Sequence, residues 1–410
     1  MNWFRIGQAL LTSLLCGTIH AGSAPATELA AGPASPNAGS YKVRYFDPSG
    51  IEGLGSWGNV IQGPDGAFYG TTAAAGEFGH GTIYKLSKVA VGSKLKVLHS
   101  FTGADGQFGG GLVVGTDGAI YGQADFGGDN GYGTAFKIST NGRFKLLHSF
   151  AYATEGYSDG LGTWVEGPDA NFYGTMPYGG PLGHGTAYKM SPKGKVTVLH
   201  AFAGGPGDGA TPSGQLTLGS DGNFYGATHF GGANDPDNQL GGTIYRMTPS
   251  GAVTLLHSFD CRANGCGPDA PPTQVGKLLY GPAGGGANSD GIIYSMNLNG
   301  QNFQVLHAFT DDEGAATEAR MLLASDGALY GVQALKGPNS LHRTFGDGTL
   351  FKFKNNVLTV IHAFGAFAND GSYPASPLIQ ATDGSLLGTT RFGGPNEGEG
   401  NGVVFRLTLP

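Results

Sequence analysis

The chain has 410 residues, of which 76 are glycine and only 13% are charged, and its formal net charge is -7. The negative balance, with no block of Lys and Arg, argues against a surface for nucleic acid or anionic membranes. Glycine is far above its ordinary usage, but Ile, Val, Leu, Phe and Tyr recur at regular intervals, so we expect an ordered β protein rather than a disordered chain.

The first 24 residues have the features of a signal peptide. Arg5 supplies a positive charge, residues 9–19 form an apolar run, and small residues follow at 21–24. The run is too short for a permanent transmembrane helix, and residues 25–40, rich in Ala, Pro, Gly and Ser, are predicted to form a flexible leader. No second hydrophobic segment follows. We therefore expect an exported protein, periplasmic or secreted, without a membrane span; lipidation of Cys16 is the less favoured alternative.

From residue 41 onward the chain repeats one pattern with a period of about 50 residues, which is typical of propeller blades and repeat arrays. Clear copies of its motifs are VLHSF at 97–101, DGAIYG at 117–122 and GTAFKI at 133–138. In that copy, residues 110–115, 119–124, 134–138 and 144–150 are predicted as four strands, and Asn141-Gly142 as a hairpin turn. Four antiparallel strands repeated radially form a β-propeller.

The last blade is predicted to be shared between the two ends of the chain. Residues 41–46 (YKVRYF) align with the outer-strand motif VLHSF, whereas residues 406–410 end on a third strand. We therefore expect an all-β, seven-bladed propeller of four-stranded antiparallel blades over residues 41–410, closed by the N-terminal strand. A residue that recurs in every blade is expected to serve blade packing, and this interpretation applies to the histidines of the outer strands, His99, His148, His200, His257, His307 and His362.

The repeated motifs resemble those of the Gloeobacter/Verrucomicrobia tandem repeat, the GloVer repeat. Aliphatic-His-Ser-Phe, Asp-Gly-x-Leu-Tyr-Gly-Thr-Thr, Gly-Gly and Gly-Thr-x-Phe-Lys-Leu elements occur in this order over nearly all of residues 41–410. The resemblance implies an exported repeat protein. It implies no particular biochemical activity.

Two cysteines, Cys261 and Cys266, lie in one short loop. In an oxidising compartment two close cysteines in a turn-rich loop are expected to pair as a disulfide. The alternative, a zinc site, needs about four ligands, and no second Cys or His pair lies nearby in the sequence. The sequence predicts neither a metal nor another cofactor.

Loop lengths predict which face of the propeller is functional. The connections between first and second strands, and most of those between third and fourth strands, are tight turns, whereas the other connections are long and emerge at the opposite face. Binding and catalysis concentrate on loops held by a rigid scaffold. We therefore predict the functional site on this long-loop face, where the central channel opens.

Positions that vary between copies supply the candidate site residues. The candidate catalytic residues, predicted to converge on the channel mouth, are His229, Arg320, Arg391 and Asp125, with a plain surface role as the alternative for His229. The candidate ligand-binding residues, polar groups for hydroxyls and rings for sugar faces, are Asn59, Gln215, Tyr157, Trp164, Tyr178, Phe230 and Tyr373.

Two functions fit this sequence. The favoured one is an exported binding or scaffold protein, monomeric, that presents the long-loop face to a glycan or an extracellular protein. The alternative is a polysaccharide-degrading enzyme, either a glycosidase or a lyase for uronate-containing polymers, in which Arg320 and Arg391 neutralise the substrate carboxylate and His229 or a Tyr removes a proton. No nucleophile elbow, phosphate loop or His-Glu-x-x-His motif occurs.

Overall fold

The computed structural model describes residues 40–46, 49–90, 93–158, 162–235, 241–338, 347–367, 370–394 and 401–409. The predicted signal peptide (1–24) and all of the predicted leader except Ser40 lie outside the described residues. In the part of the chain that is described, no helix has the length and apolar character needed to cross a bilayer. Apart from one turn of 3-10 helix at Asp311–Glu313, the regular structure there consists of β-strands.

Strand β1 (Tyr41–Tyr45) opens the described chain, and the first four blades follow it in sequence order. Each blade is an antiparallel sheet whose strands run from the innermost to the outermost, and in blade 4 both β14 and β15 pair with β16. The strands are β2 (Ile61–Gln62), β3 (Phe68–Thr71), β4 (Thr82–Leu86) and β5 (Leu95–Ser100) in blade 1; β6 (Gln107–Val114), β7 (Ile120–Phe126), β8 (Thr134–Ile138) and β9 (Phe144–Ser149) in blade 2; β10 (Val165–Glu166), β11 (Phe172–Met176), β12 (Thr186–Met190) and β13 (Val196–Ala201) in blade 3; and β14 (Gly209–Pro212), β15 (Thr217–Leu218), β16 (Phe224–Gly231), β17 (Thr243–Met247) and β18 (Val253–Ser258) in blade 4.

The remaining three blades repeat this arrangement. Blade 7 also carries a short two-stranded extension formed by β27 and β30. The strands are β19 (Thr273–Val275), β20 (Leu278–Ala283), β21 (Ile292–Asn297) and β22 (Gln304–Ala308) in blade 5; β23 (Leu322–Leu323), β24 (Leu329–Gln333), β25 (Thr349–Lys354) and β26 (Val357–Ala363) in blade 6; and β27 (Gly371–Ser372), β28 (Ile379–Gln380), β29 (Leu386–Thr390), β30 (Phe392–Gly393) and β31 (Val403–Leu407) in blade 7.

The N-terminal strand closes the ring as predicted. β1 pairs with β31 in an antiparallel register that runs from Tyr41 opposite Leu407 to Tyr45 opposite Val403. The sheet order is β28-β29-β31-β1, so β1 is the outer strand of blade 7. The sequence prediction of an all-β, seven-bladed propeller with four-stranded blades is confirmed.

In blades 1, 2, 3, 4 and 6, a hydrogen bond connects the Asp of the turn to the Tyr of the Tyr-Gly strand. In blade 6 the Asp326 carboxylate accepts the backbone N–H of Ala328 at 2.9 Å and the hydroxyl of Tyr330 at 2.9 Å. Lys352, across the sheet, donates to the same carboxylate at 2.8 Å. Burial opposes the charged form, but these donors outweigh it and lower the pKa of Asp326 to about 2. The repeated Asp therefore shapes the turn and holds the ring of the buried tyrosine.

The outer strands carry a second repeated interaction. The imidazole Nε2 of the repeated histidine contacts a carboxylate from the following loop, and this carboxylate also accepts a backbone N–H just after the strand. In blade 1, His99 Nε2 lies 3.0 Å from Asp105 Oδ2, and the Asp105 carboxylate accepts the backbone N–H of Thr102. We call these contacts the outer-strand pairs. The others with a carboxylate are His148–Glu155, His200–Asp208, His307–Glu313 and His362–Asp370, at 2.9 to 3.0 Å.

Blade 4 differs in its pair, because its histidine, His257, is followed by Asn264 instead of an acid. At the ring closure, β1 has Arg44 at the histidine position, and its guanidinium binds both carboxylate oxygens of Glu52 at 2.7 Å. The histidine rings also pack on the next blade: His99 stacks on Phe144 with ring centroids 3.8 Å apart. These contacts support the structural role predicted for the repeated histidines.

Candidate ligand-binding face

The innermost strands surround a central cavity of about 450 Å³. Volumes of a few hundred Å³ are typical of sites for small ligands. Its walls contain aliphatic side chains together with polar groups that come from the starts of the inner strands. Five of the lining residues are Asn59, Thr163, Trp164, Gln215 and Arg320. The sequence analysis selected four of these, all except Thr163, for the site.

Two of the predicted ligand-binding residues already have protein partners. The Asn59 amide donates to the carbonyl of Leu112 at 3.1 Å and accepts from the N–H of Leu112 at 2.8 Å, so it joins blade 1 to blade 2. Trp164 is 7% exposed and its indole N–H donates to the hydroxyl of Tyr188 at 2.6 Å. Both side chains thus stabilise the channel wall, and Gln215, 4% exposed, is also part of it.

Arg391 lies in a box of aromatic and acidic side chains. Its guanidinium carbon is 4.1 Å from the ring centroid of Trp57 and 4.7 Å from that of Tyr373. Glu318 accepts from Arg391 at 2.8 Å and from the Tyr373 hydroxyl at 2.7 Å. We call Trp57, Glu318, Tyr373 and Arg391 the arginine box. The box joins blades 1, 6 and 7. It lies near the channel, because Trp57 precedes the channel residue Asn59, and Glu318 precedes Arg320, by two positions each, which is at most about 7 Å of chain.

Two aromatic residues beside the arginine box have left-handed backbone conformations. Phe108 has φ 64° and Tyr373 has φ 60°. Each donates its backbone N–H to a carbonyl of the preceding blade at 3.0 Å, Phe108 to His80 and Tyr373 to Asp347. The equivalent residue of blade 1 is Gly55, with φ 67°, which makes the same bond. Bulky residues rarely adopt this conformation, and such strain concentrates at functional sites.

A continuous series of rings extends from the arginine box across blades 1, 2 and 3. Trp57 and Phe108 have ring centroids 4.9 Å apart, and each following ring lies 5.3 to 6.2 Å from the one before it. All of these rings are half-buried, with one side in contact with the protein. We call this series the aromatic arc; its members are Trp57, Phe108, Phe126, Tyr157 and Tyr178. The exposed rings of Tyr132 and Tyr152 contact its far end beside Tyr157.

The other candidate residues have different surroundings. His229 binds Asp269 of the next loop through Nδ1, and its ring lies 4.4 Å from that of Phe230. The charge of Asp269 helps to raise the pKa of Tyr373, after burial and the charge of Glu318, so this pair lies within electrostatic range of the arginine box. Asp125 is 1% exposed and its carboxylate lies against Gly110 of the inner strand. The four candidate catalytic residues therefore occupy four distinct environments.

The lyase alternative calls for His229 or a tyrosine as its base, and Tyr373 is poorly suited to that role. Burial, the negative charge of Glu318 and the bond to it raise the pKa of Tyr373 well above the ordinary value of a tyrosine. Arg391 is likewise engaged by Glu318. Within the described residues, no group of three or more His, Cys, Asp and Glu side chains has the arrangement of a metal site.

The disulfide predicted between Cys261 and Cys266 is not formed in this structure. Both residues are free thiols of intermediate exposure. Burial, followed by the hydrogen bond and the charge of Cys261, raises the pKa of Cys266 to about 12. A thiol with such a pKa remains protonated at neutral pH, and it is the thiolate that reacts to form disulfides.

The sequence analysis missed Trp57, Phe108 and Glu318. Phe108 had a detectable signal, because blades 1 and 5 place a glycine, Gly55 or Gly267, at the left-handed position where blade 2 has this bulky ring. Trp57 is one of only three tryptophans in the chain. Glu318 had no such signal, since its partners Tyr373 and Arg391 are 55 and 73 residues away.

Comparisons with known proteins identify the repeat. The family model described as the Gloeobacter/Verrucomicrobia repeat matches residues 56–283 and 238–410. No curated protein matches the chain.

Among solved structures, the extracellular domain of a protein from B. thetaiotaomicron is similar to this chain in two determinations, one describing a one component system and the other a hybrid two component system. The TM-scores are 0.58 and 0.57, with 9% sequence identity in each, over 90% and 89% of this chain. This chain spans only 40% and 39% of those longer chains, and the likeness shows the fold alone.

A protein assigned as a 6-phosphogluconolactonase from Bacteroides uniformis is 14% identical, with a TM-score of 0.48 over 80% of this chain and 92% of that chain.

Because the family model covers the residues from 56 onward, the chain belongs to the Gloeobacter/Verrucomicrobia repeat family.

Proposed function

We propose that this protein is an exported propeller that binds a carbohydrate on its long-loop face, with the aromatic arc as the contact surface. The observation that supports this proposal most directly is the series of half-buried rings that crosses three blades, from Trp57 in blade 1 to Tyr178 in blade 3. Aromatic side chains provide large, rigid, amphipathic contact area at low entropic cost. Rings of this kind can stack on the apolar face of a sugar while nearby polar groups bind its hydroxyls.

The cavity favours a carbohydrate over a folded protein as the ligand. Protein partners usually need a broad surface of about 800 Å² on each side. Here the channel holds a cavity of about 450 Å³, and Asn59 of its wall follows Trp57 of the arc by two positions, which suits a chain of sugar rings with one residue directed toward the channel. Two strained backbone positions, at Phe108 and Tyr373, hold rings on this face at a cost in stability. That cost is understandable if the rings serve binding.

The N-terminal sequence supports export. We infer that residues 1–24 act as a signal peptide and residues 25–40 as a leader, so that the propeller begins at residue 41. The basic, apolar and small-residue order of this segment is that of a secretory signal. The N-terminal residue of the protein isolated from a bacterial periplasm, determined by mass spectrometry, tests this inference; an intact Met1 there would contradict it.

The binding proposal is tested with the variant Tyr157→Ala. Tyr157 contacts Phe126 and Tyr178 of the arc, together with the exposed Tyr132 and Tyr152. Removal of a central aromatic anchor is expected to weaken binding about tenfold or more. The measurement is titration calorimetry of the purified protein with a panel of soluble neutral and acidic polysaccharides.

The matched control is Leu146→Ala, which shortens an exposed side chain on the outer strand of blade 2, away from this face. It is expected to bind like the wild type. Equal affinity of wild type and Tyr157→Ala for a bound polysaccharide, or no binding to any member of the panel, would contradict the proposal. New chain ends released by the wild type would establish the enzymatic alternative, and His229→Ala would then show whether that histidine takes part.

A further inference from the structure

Among the described residues that line the central cavity, Arg320 alone is charged, although the whole chain has a net charge of -7. The guanidinium reaches across the channel from blade 6 to blade 4, where one N–H contacts the hydroxyl of Thr217 at 3.3 Å. No carboxylate within the described residues forms an ion pair with it.

This arrangement differs from those of Arg44, which is buried, and Arg391, which is half-buried like Arg320. Arg44 binds both oxygens of Glu52, and Arg391 binds Glu318. A guanidinium has five N–H donors in a planar fork suited to a carboxylate. At Arg320 only one donor has a protein acceptor among the described residues, and that contact is long and neutral. Burial lowers the pKa of Arg320, as expected for a cation whose lost hydration is not replaced by an anion.

We propose that the central channel is a binding site for a carboxylate group, with Arg320 as its anchor. The inference goes beyond the carbohydrate site on the aromatic arc, because it rests on other residues, which line the channel and include no ring of the arc. The side chains of Thr163 and Gln215 also line this cavity and can bind hydroxyl groups next to the carboxylate. A cavity of about 450 Å³ has room for one sugar acid or for a free carboxylic acid of similar size.

The probe is sodium glucuronate, with glucose as its neutral counterpart, titrated by calorimetry at constant ionic strength. The wild type is expected to bind glucuronate at least about tenfold more tightly than glucose, because an ionised hydrogen-bond partner strengthens the interaction. Arg320→Gln is expected to bind glucuronate no more tightly than glucose. Arg320→Lys is expected to keep part of the preference for glucuronate, since a lysine retains the positive charge but not the planar set of N–H donors. Equal binding of both sugars by the wild type, or glucuronate affinity unchanged in Arg320→Gln, overturns the proposal.

A stability measurement separates a ligand site from a structural role. If Arg320 binds an anion, Arg320→Gln removes a half-buried charge that has no anionic partner in the ligand-free protein, and the thermal midpoint without ligand is expected to be unchanged or higher. A fall of several degrees would show that the arginine serves the fold and would overturn the proposal. Arg406→Gln is the matched control: this arginine binds Asp383 at the turns of blade 7, so its loss is expected to leave glucuronate affinity unchanged.

The source of the carboxylate is distinguished by two further titrations. Acetate or succinate binding as tightly as glucuronate indicates a free carboxylic acid, whereas tighter binding of an oligosaccharide ending in glucuronate indicates a polysaccharide terminus or branch; both results support the carboxylate site. Glucuronate binding is expected to persist in Tyr157→Ala. The two proposals can therefore fail separately: Tyr157→Ala with a polysaccharide tests the aromatic arc, whereas Arg320→Gln with glucuronate tests the channel site.

Discussion

The outer-strand pairs and the long-loop face belong to the same blades but follow opposite rules. Along the outer strands, a histidine and a carboxylate recur from blade to blade, and even Arg44, which replaces the histidine at the ring closure, donates to an acid, Glu52. On the long-loop face the equivalent residues change from blade to blade, and the aromatic arc occupies only one side of the ring. Residues that recur in the blades therefore mark contacts needed for blade packing, whereas residues that vary between blades are the candidates for function.

The largest expected effect comes from breaking the pair that closes the ring. Arg44→Ala removes the guanidinium that binds Glu52 and the carbonyl of Ser93, and it leaves the Glu52 carboxylate largely buried without its cation. Loss of one partner of a buried ion pair costs about 3 kcal/mol or more. Urea denaturation of the wild type and the variant is expected to show a loss of this size in the free energy of unfolding.

The control is Arg44→His, which installs the residue that six other outer strands use. If the outer-strand pairs are interchangeable modules, this variant is expected to recover most of the loss and unfold within about 1 kcal/mol of the wild type. A loss as large as that of Arg44→Ala would show that the closing blade follows a rule of its own.

The strands and the closure of the propeller could be predicted from sequence because they depend on short-range patterns. Each repeated motif corresponds to a single strand: Tyr-Gly, Gly-Thr-x-Tyr-Lys or His-x-Phe. The segment YKVRYF could be aligned with the outer-strand motif from its sequence alone, so the missing strand of the last blade was identified without knowledge of any contact. The acid of each outer-strand pair was missed. It follows the histidine by six to eight residues in a loop of variable length, as with His99–Asp105 and His200–Asp208, so no fixed spacing reveals it.

The candidate site was predicted only in part, for a related reason. The starts of the inner strands were expected to line the channel, and Gln215 and Arg320 do so. Sequence position does not show which polar groups are already engaged, so the bonds of Asn59 to the neighbouring blade were not foreseen. The stacking of Arg391 on Trp57 joins residues from the two ends of the chain, and only ring closure brings them together.

A smaller effect is expected where the repeat of outer-strand pairs is itself interrupted. His257 faces Asn264 instead of a carboxylate, and burial, opposed only in part by Asn264, lowers the pKa of His257 to about 4. An unfolded histidine has a pKa near 6.5. The folded protein therefore favours neutral His257, and this contribution to stability is complete above about pH 6.5 and is lost as the pH falls toward 4.

Asn264→Asp is expected to raise the pKa of His257 and to reduce the loss of stability between pH 7 and pH 4.5 by about 1 kcal/mol, a figure that allows for partial exposure of the ring. Histidine resonances followed by NMR give the pKa, and urea denaturation at both pH values gives the stability. Asp105→Asn is the reverse control, because burial already lowers the pKa of His99 and Asp105 opposes that effect. An unchanged titration of His257 in Asn264→Asp would contradict this account.

A third group of contacts limits the rule that departures from the repeat mark function. At the face of tight turns, Gln380 accepts the N–H of Ser325 in the preceding blade at 2.8 Å and donates to its hydroxyl at 3.0 Å. Glu166 accepts both the N–H and the hydroxyl of Thr116 in the preceding blade, each at 2.8 Å. The equivalent residue of blade 2 is Val114, and the corresponding turn of the preceding blade contains Pro64. Proline has no N–H to donate, so the variation is a structural consequence of the neighbouring turn.

This explanation predicts the smallest effect and the clearest contrast. Gln380→Leu is expected to cost about 1 kcal/mol, because two exposed interblade hydrogen bonds are lost. Val114→Gln is expected to change the free energy of unfolding by less than about 0.5 kcal/mol, since the proline turn of blade 1 offers no donor. The double variant Pro64→Ser with Val114→Gln is expected to be more stable than the sum of its single variants, as measured by a double-mutant cycle in urea. Strict additivity would mean that the alternation around this face has another cause, and these positions would then join the candidates for function.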